Sequence, residues 1–234
     1  MKHYIHIPLF LLAVLAFLSP NQSLTARCSG KVDLGPAYIH LDMLESGHTV
    51  KTMDLLGVKA DAMILFFEGK GWGIKPSILY GRGDSKLGEV FSGGIGFGHC
   101  TPITDCLTIT PSIGISYGYI KTRVRLPDFF GRMHFTEKFR SVSPYVSLDA
   151  TYTICKGFRI CGMFQYAWSR THTTIVGLLK DKSNAKGPNY ALMLEYDLNA
   201  KWSVQLAGAY NISLSKEKHG VRGAGGKIGV AYWF

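Results

Sequence analysis

Five cysteines, Cys28, Cys100, Cys106, Cys155 and Cys161, carry the chain's most reactive side chains, and the last four form two pairs, each separated by five residues. Both pairs bracket an expected turn. Antiparallel strands lie about 5 Å apart, so thiols flanking a tight turn can reach disulfide distance if the chain enters an oxidising compartment. Three outcomes stay open: bonds Cys100–Cys106 and Cys155–Cys161, bonds to other proteins or partners, or free thiols. Cys28, the odd one, is the best placed for an intermolecular bond. No histidine stands near these cysteines at ligand spacing, so no metal is expected, and no cofactor motif is present.

A second chemistry is cationic. The chain has 26 Lys and Arg against 16 Asp and Glu. Six basic residues, Lys121, Arg123, Arg125, Arg132, Lys138 and Arg140, are set against Asp128 and Glu137, a local excess of four positive charges. Such a segment is either a solvated loop or a phosphate-binding surface, which needs clustered cations without strict geometry. No nucleic-acid-binding module is recognisable, so nucleic acid is not an expected partner. Arg82-Gly83-Asp84 resembles an integrin-binding tripeptide, but Gly-Asp is also ordinary turn chemistry. The runs Gly69 to Gly73 and Gly93 to Gly98 do not open a helix after a strand, as a phosphate cradle requires, and read as glycines permitting curvature and close strand approach. His134 and His172, with Asp128, Glu137 and Ser169 nearby, have no spacing that selects a reaction, so no catalytic residue is assigned.

The elements that position these groups begin with an export signal. Lys2 precedes an apolar run from Ile5 to Leu18, followed by a polar stretch to Ala26. That run contains Pro8 and falls short of the roughly 20 residues a transmembrane helix needs. Residues 1–26 are therefore expected to be a signal peptide and residues 27–234 a single domain. After residue 26 no apolar run is long enough for a spanning helix, although the chain is 47% hydrophobic.

Periodicity decides where that apolar surface goes. Leu107, Ile109, Ile113, Ile115, Tyr117 and Tyr119 alternate with Thr108, Thr110, Ser112, Gly114, Ser116 and Gly118, a period of two. The pattern recurs at 142–154, 158–168, 190–198, 202–214 and 226–234, and more weakly at 31–42, 57–68, 72–82 and 88–99. It predicts an all-β, closed, antiparallel transmembrane barrel of about ten strands, or eight if the segment 49–67 is an amphipathic helix. Short connections at 68–71, 101–105, 156–157 and 199–200 alternate with longer polar ones at 43–56, 83–87, 125–138, 176–186 and 216–221, the asymmetry expected of periplasmic turns and external loops.

Opposite the bulky apolar face stand mostly Gly, Ser, Thr and Ala, with isolated Asp149, Arg159, Glu195 and Lys227. Ten strands enclose a narrow lumen, wider than the eight that side chains just fill and far narrower than the roughly 16 to 18 of an open porin. The four charges are expected to point into it and pair across it. Tyr166, Trp168, Trp202, Tyr232 and Trp233 lie near strand ends, where interfacial aromatic girdles form.

The last strand carries Ile228, Val230, Tyr232 and a terminal Phe234 at alternating positions. It resembles the terminal strand by which Gram-negative outer-membrane barrels are recognised by their assembly machinery. The mature chain is similar in architecture to the small barrels of the OmpA, OmpX and opacity type. The resemblance implies an outer-membrane location, with lipid, lipopolysaccharide and the assembly machinery as partners, and leaves activity open. A structural or surface-interaction role, with basic external loops meeting lipopolysaccharide or a host surface, is the expectation; a narrow pore and a lipid-modifying or proteolytic barrel are the alternatives.

Overall fold

The computed structural model describes residues 29–66, 71–83, 88–125, 134–175 and 179–234. Residues 1–28, including the expected signal segment and Cys28, lie outside them, as do Asp84, Asp128 and Arg132. Among the described residues every regular element is a strand: β1 (Ser29–Glu45), β2 (His48–Leu65), β3 (Gly71–Arg82), β4 (Glu89–Pro102), β5 (Leu107–Arg125), β6 (His134–Cys155), β7 (Phe158–Ile175), β8 (Leu179–Asp197), β9 (Trp202–Leu214) and β10 (Gly220–Trp233). Each pairs antiparallel with its sequence neighbour, and β1 pairs with β10 to close the barrel. The segment 49–67 is thus mostly strand, and the ten-strand architecture holds.

At the seam Gly30 and Phe234 exchange backbone hydrogen bonds of 2.9 and 3.0 Å. This end, which carries both ends of the described chain, is the terminal end; the opposite one is the far end. A β-carbon on Gly30 would fall 2.6 Å from the Met63 carbonyl oxygen and 2.8 Å from the Phe234 ring. Only glycine lets the last aromatic ring sit against the first strand there.

The two faces are inverted relative to a water-soluble barrel. Outward Leu56, Ile113 and Ile228 are 72%, 63% and 66% exposed, whereas inward Glu195 and Ser203 are 1% and 0% exposed. Because successive side chains alternate faces, one register sets all of them. Outward aliphatics gain nothing from water, and a bilayer is the medium that matches them.

The long polar loops expected at the far end are largely strand. β1 and β2 run through 43–56 and meet at the tight turn Ser46–Gly47, whose φ values of 50° and 84° are those of a two-residue hairpin turn. β8 begins at Leu179, so most of 176–186 is strand, and β5 and β6 extend to Arg125 and from His134. The alternation of short and long connections therefore fades. Crossing a bilayer takes about 9–11 residues of tilted strand, and β6 has 22. The surplus is a paired wall beyond the lipid belt, where the outer face turns polar and the bulky-outward alternation that marks a lipid-facing strand is lost.

The far half of the lumen is also unlike the expected small, polar face. Inward Ile39, Leu41, Met43, Met53, Leu55 and Val90 form a buried apolar cluster, with Leu79, Ile120, Phe139 and Val221 packed against it. Gly81 leaves room for it, since a β-carbon there would lie 2.6 Å from Ile39 Cδ1 and 3.0 Å from Val90 Cγ1.

Candidate functional site: the closed lumen and the cationic outer face

Below the apolar cluster, toward the terminal end, the lumen is crossed by ion pairs. Glu195 accepts from Lys31 Nζ at 2.8 Å, Arg159 at 2.9 Å, Ser203 Oγ at 2.8 Å and Gln205 Nε2 at 2.9 Å. Arg159 also pairs with Asp197. Trp233 turns inward, with the Lys31 ammonium 5.2 Å and the Arg159 guanidinium 4.6 Å from its ring centre, a cation–π arrangement that ties β10 to β1 and β7. A second group joins Lys227 to Asp33 and, at 3.0 Å, to Asp61, which also meets Lys59 at 3.1 Å. A third pairs Lys75 with Asp149.

The four lumen charges read from sequence all face inward, but they do not form one closed set. Asp149 takes Lys75, Lys227 takes Asp33 and Asp61, and Arg159 shares Glu195 with Lys31. These partners were not singled out because pairing across the lumen depends on barrel closure: Lys31 and Glu195 are 164 positions apart. Each carboxylate meets a cation, so the terminal half is charged group by group yet locally neutral. With the apolar cluster beyond it, the lumen is obstructed at two levels of different chemistry.

Of the three outcomes open for the thiols, the fold disfavours the two bonds within hairpins. Cys100, Cys106, Cys155 and Cys161 are free. Cys161 stands opposite Thr151, four residues from Cys155, and the register joining Thr101 to Ile109 puts Cys100 level with Thr110, four residues from Cys106. Four residues of strand span about 13 Å, well beyond the roughly 7 Å that a disulfide tolerates between α-carbons. In both pairs one cysteine lies at the turn and the other far up the ladder, so bracketing a turn does not bring them level.

Of the two histidines weighed for catalysis, the side chain of His134 lies outside what is described, and His172 meets no acid or nucleophile among the described residues. His172 is exposed on the outer face of β7, whereas Ser169 points inward, 2.7 Å from Ser143 Oγ, and Glu137 lies on the inward face of β6. Strand parity separates them.

On the outer face beyond the belt, charge is divided unevenly around the wall. Across β1, β2 and β10 it is self-satisfied: Arg222 donates to Asp42 at 3.0 and 2.7 Å, Thr52 donates to Asp42 at 2.7 Å, and His40 meets Asp54 at 2.8 Å. The hydrogen bonds from Thr52 and Arg222 hold the Asp42 carboxyl below the usual carboxylate range. Across β5 to β8 the cations lack such partners. Arg140 stands opposite His172, which stands opposite Lys182, so three basic side chains share one row on adjacent strands. Lys121 opposes Lys138 above that row; Arg170 opposes Val142, and Lys186 opposes Trp168, nearer the belt. Among the described residues one carboxylate reaches this group, Glu89, 3.8 Å from Lys121. Of the basic segment read from sequence, Lys121, Lys138 and Arg140 therefore belong to strands. The side chains of Arg123 and Arg125, and all of Arg132, lie outside what is described. Arg170, His172, Lys182 and Lys186 were missed, although period-two counting along β7 and β8 puts all four on the face of Trp168.

No family model matches this sequence, and no curated protein matches it. Solved structures do. The outer membrane protease OmpT from Escherichia coli superposes with a TM-score of 0.57 at 13% identity, over 91% of this chain and 99% of that one. The chain has the outer-membrane β-barrel fold. An outer membrane channel from Pseudomonas putida matches with a TM-score of 0.49 at 12% identity, over 92% of this chain and 98% of that one. Ail, the attachment invasion locus protein of Yersinia pestis, matches with a TM-score of 0.43 at 13% identity, over 88% of this chain and 98% of that one. At these identities the likeness is one of fold. What distinguishes this outer-membrane barrel must therefore come from its own side chains.

Proposed function

We propose that this barrel is a closed, non-conducting outer-membrane protein whose far end faces outward and whose cationic outer face binds the phosphates of lipopolysaccharide. The observation that carries this reading is the row Arg140, His172, Lys182, with Lys138 and Arg170 on either side, standing just beyond the lipid belt without a carboxylate partner among the described residues. Phosphates of a glycolipid sit at that height when its acyl chains lie along Val142, Val146 and Phe164. Arginine adds paired donors suited to phosphate oxygens. On this reading the terminal end, with Ile228, Val230, Tyr232 and Phe234 facing lipid, is periplasmic and is the end that the assembly machinery engages.

The test is lipopolysaccharide binding by the refolded protein, comparing wild type with a triple variant, Arg140→Gln, Arg170→Gln and Lys182→Gln. Charge-assisted contacts contribute about 1.5–3 kcal/mol each when well formed; three exposed ones, discounted for screening, give an affinity loss of roughly 30-fold or more. Equal affinity for both proteins would remove the proposal. A lipid A lacking its phosphates should bind both proteins alike, and an acidic glycan that binds wild type in preference to lipopolysaccharide would redirect the reading to a host surface.

A further inference from the structure

We propose that Cys106 and Cys155 are a redox-sensitive pair that closes into a disulfide linking the terminal-end turns of two neighbouring hairpins. Leu107 is paired with Tyr152, and the Thr153 amide donates to the Cys106 carbonyl at 2.8 Å, so Cys106 is level with Thr153 and Cys155 is its diagonal neighbour two residues on. Diagonal neighbours on adjacent strands have α-carbons about 7–8 Å apart, with β-carbons closer, against about 13 Å for each of the pairs within one hairpin.

The remaining approach of about 1 Å to disulfide distance falls where the ladder ends. Cys106 closes the turn before β5, and Cys155 is the last residue of β6, beside a register irregularity at Thr153/Cys155. Both side chains are exposed and open to an exchange partner. Cys161 instead faces inward beside Thr151, whose hydroxyl lies 3.5 Å from its sulfur, and Cys100 is on β4, two strands round the wall from Cys155.

The bond forms by thiol–disulfide exchange. The thiolate of one cysteine attacks the disulfide of the oxidant, a disulfide-form exchange protein in the envelope or a low-molecular-weight disulfide, and one oxidant sulfur leaves as a thiol. The second thiolate then attacks the mixed disulfide and releases the other. The Cys106–Cys155 bond is made, the oxidant's bond is broken, and the two protons lost by the cysteines end on the oxidant's two sulfurs. Occurrence in the cell rests on the terminal end facing the periplasm, but the chemistry can be tested without that assumption.

The full chain, refolded in detergent micelles, is treated with oxidised glutathione, alkylated with iodoacetamide, digested without reductant and analysed by mass spectrometry. The expected result is one linked peptide joining Cys106 to Cys155, with Cys100 and Cys161 alkylated. It should persist in a Cys100→Ser/Cys161→Ser protein and be lost in Cys106→Ser. Alkylation of both Cys106 and Cys155 after oxidation, or their linkage to Cys28, Cys100 or Cys161 instead, would overturn the proposal. If the linkage forms in micelles but never in cells grown without reductant, the pairing stands and the periplasmic orientation is what fails.

Discussion

Replacing Glu195 by alanine removes the anion on which the terminal half of the lumen is centred. Four donors converge on that carboxylate, two of them cationic, and it is 1% exposed. Breaking a buried pair by deleting one partner costs roughly 3–5 kcal/mol, because the remaining charge stays desolvated. The low end applies here: Arg159 keeps Asp197, both cations keep the Trp233 ring, and Lys31 and Arg159 are 15% and 21% exposed. The expected loss is thus about 3 kcal/mol. Urea titration of the refolded barrel in detergent, followed by tryptophan fluorescence, reads it as a lowered midpoint at unchanged slope. Adding Lys31→Met to Glu195→Ala should recover part of the loss, since one stranded charge is gone. A cost below about 1 kcal/mol, the level of a solvated pair, would mean that water fills this part of the lumen and that the ion pairs do not obstruct it.

Three further outcomes follow from particular contacts. Gly114→Ala puts a β-carbon 2.4 Å from Tyr145 Cζ and 2.5 Å from the Ile95 carbonyl oxygen, and should destabilise by about 1–3 kcal/mol in the same titration; Gly162→Ala, with nothing within 4 Å, should cost well under half of that. Asp42, held below its ordinary 3.8 by Thr52 and Arg222, should contribute stability that is complete above that value and fades as pH falls through the lowered folded value. Asp42→Asn should therefore be less stable by about 0.5 kcal/mol at pH 7, and the difference should vanish in strong acid. Deleting Phe234 removes the exchange of hydrogen bonds with Gly30, and should reduce the fraction of protein showing a heat-dependent shift on a gel after refolding, while leaving the survivors' urea midpoint lower.

Much of this barrel could be read from alternation, and the places that resisted have a common cause. Along β9, and along β5 and β10 until Ile120 and Val221 turn in toward the apolar cluster, one face meets lipid and the other a lumen of small or polar side chains, so period two is uninterrupted there. Along β1 and β2 the phase inverts partway. Leu34 and Tyr38 point outward past Asp33 and Ala37, but a turn later Ile39, Leu41 and Met43 point inward past outward His40 and Asp42. The same reversal separates Leu56 and Val58 from Met53 and Leu55. A strand that leaves the bilayer while its inner face joins an apolar cluster must show this inversion, and in sequence it looks like the end of the strand. The cationic outer face was partly visible as a basic segment. Its rows were not, because Arg140, His172 and Lys182 become neighbours only through two ladders of register. The choice among the thiols' three outcomes stays open in sequence for the related reason that spacing across a turn does not tell which rungs the two residues occupy.

The central claim is that bulky apolar side chains face lipid while the lumen is closed against it, and the four tryptophans test it directly. Trp72, Trp168 and Trp202 are half exposed on the outer face, and Trp233 turns inward under Lys31 and Arg159. Single-tryptophan proteins, with the other three replaced by phenylalanine, are refolded into vesicles whose acyl chains carry bromine, and fluorescence quenching is measured. Strong quenching of Trp72, Trp168 and Trp202, with little for Trp233, is the predicted result. Equal quenching of all four, or quenching of Trp233 alone, would contradict it.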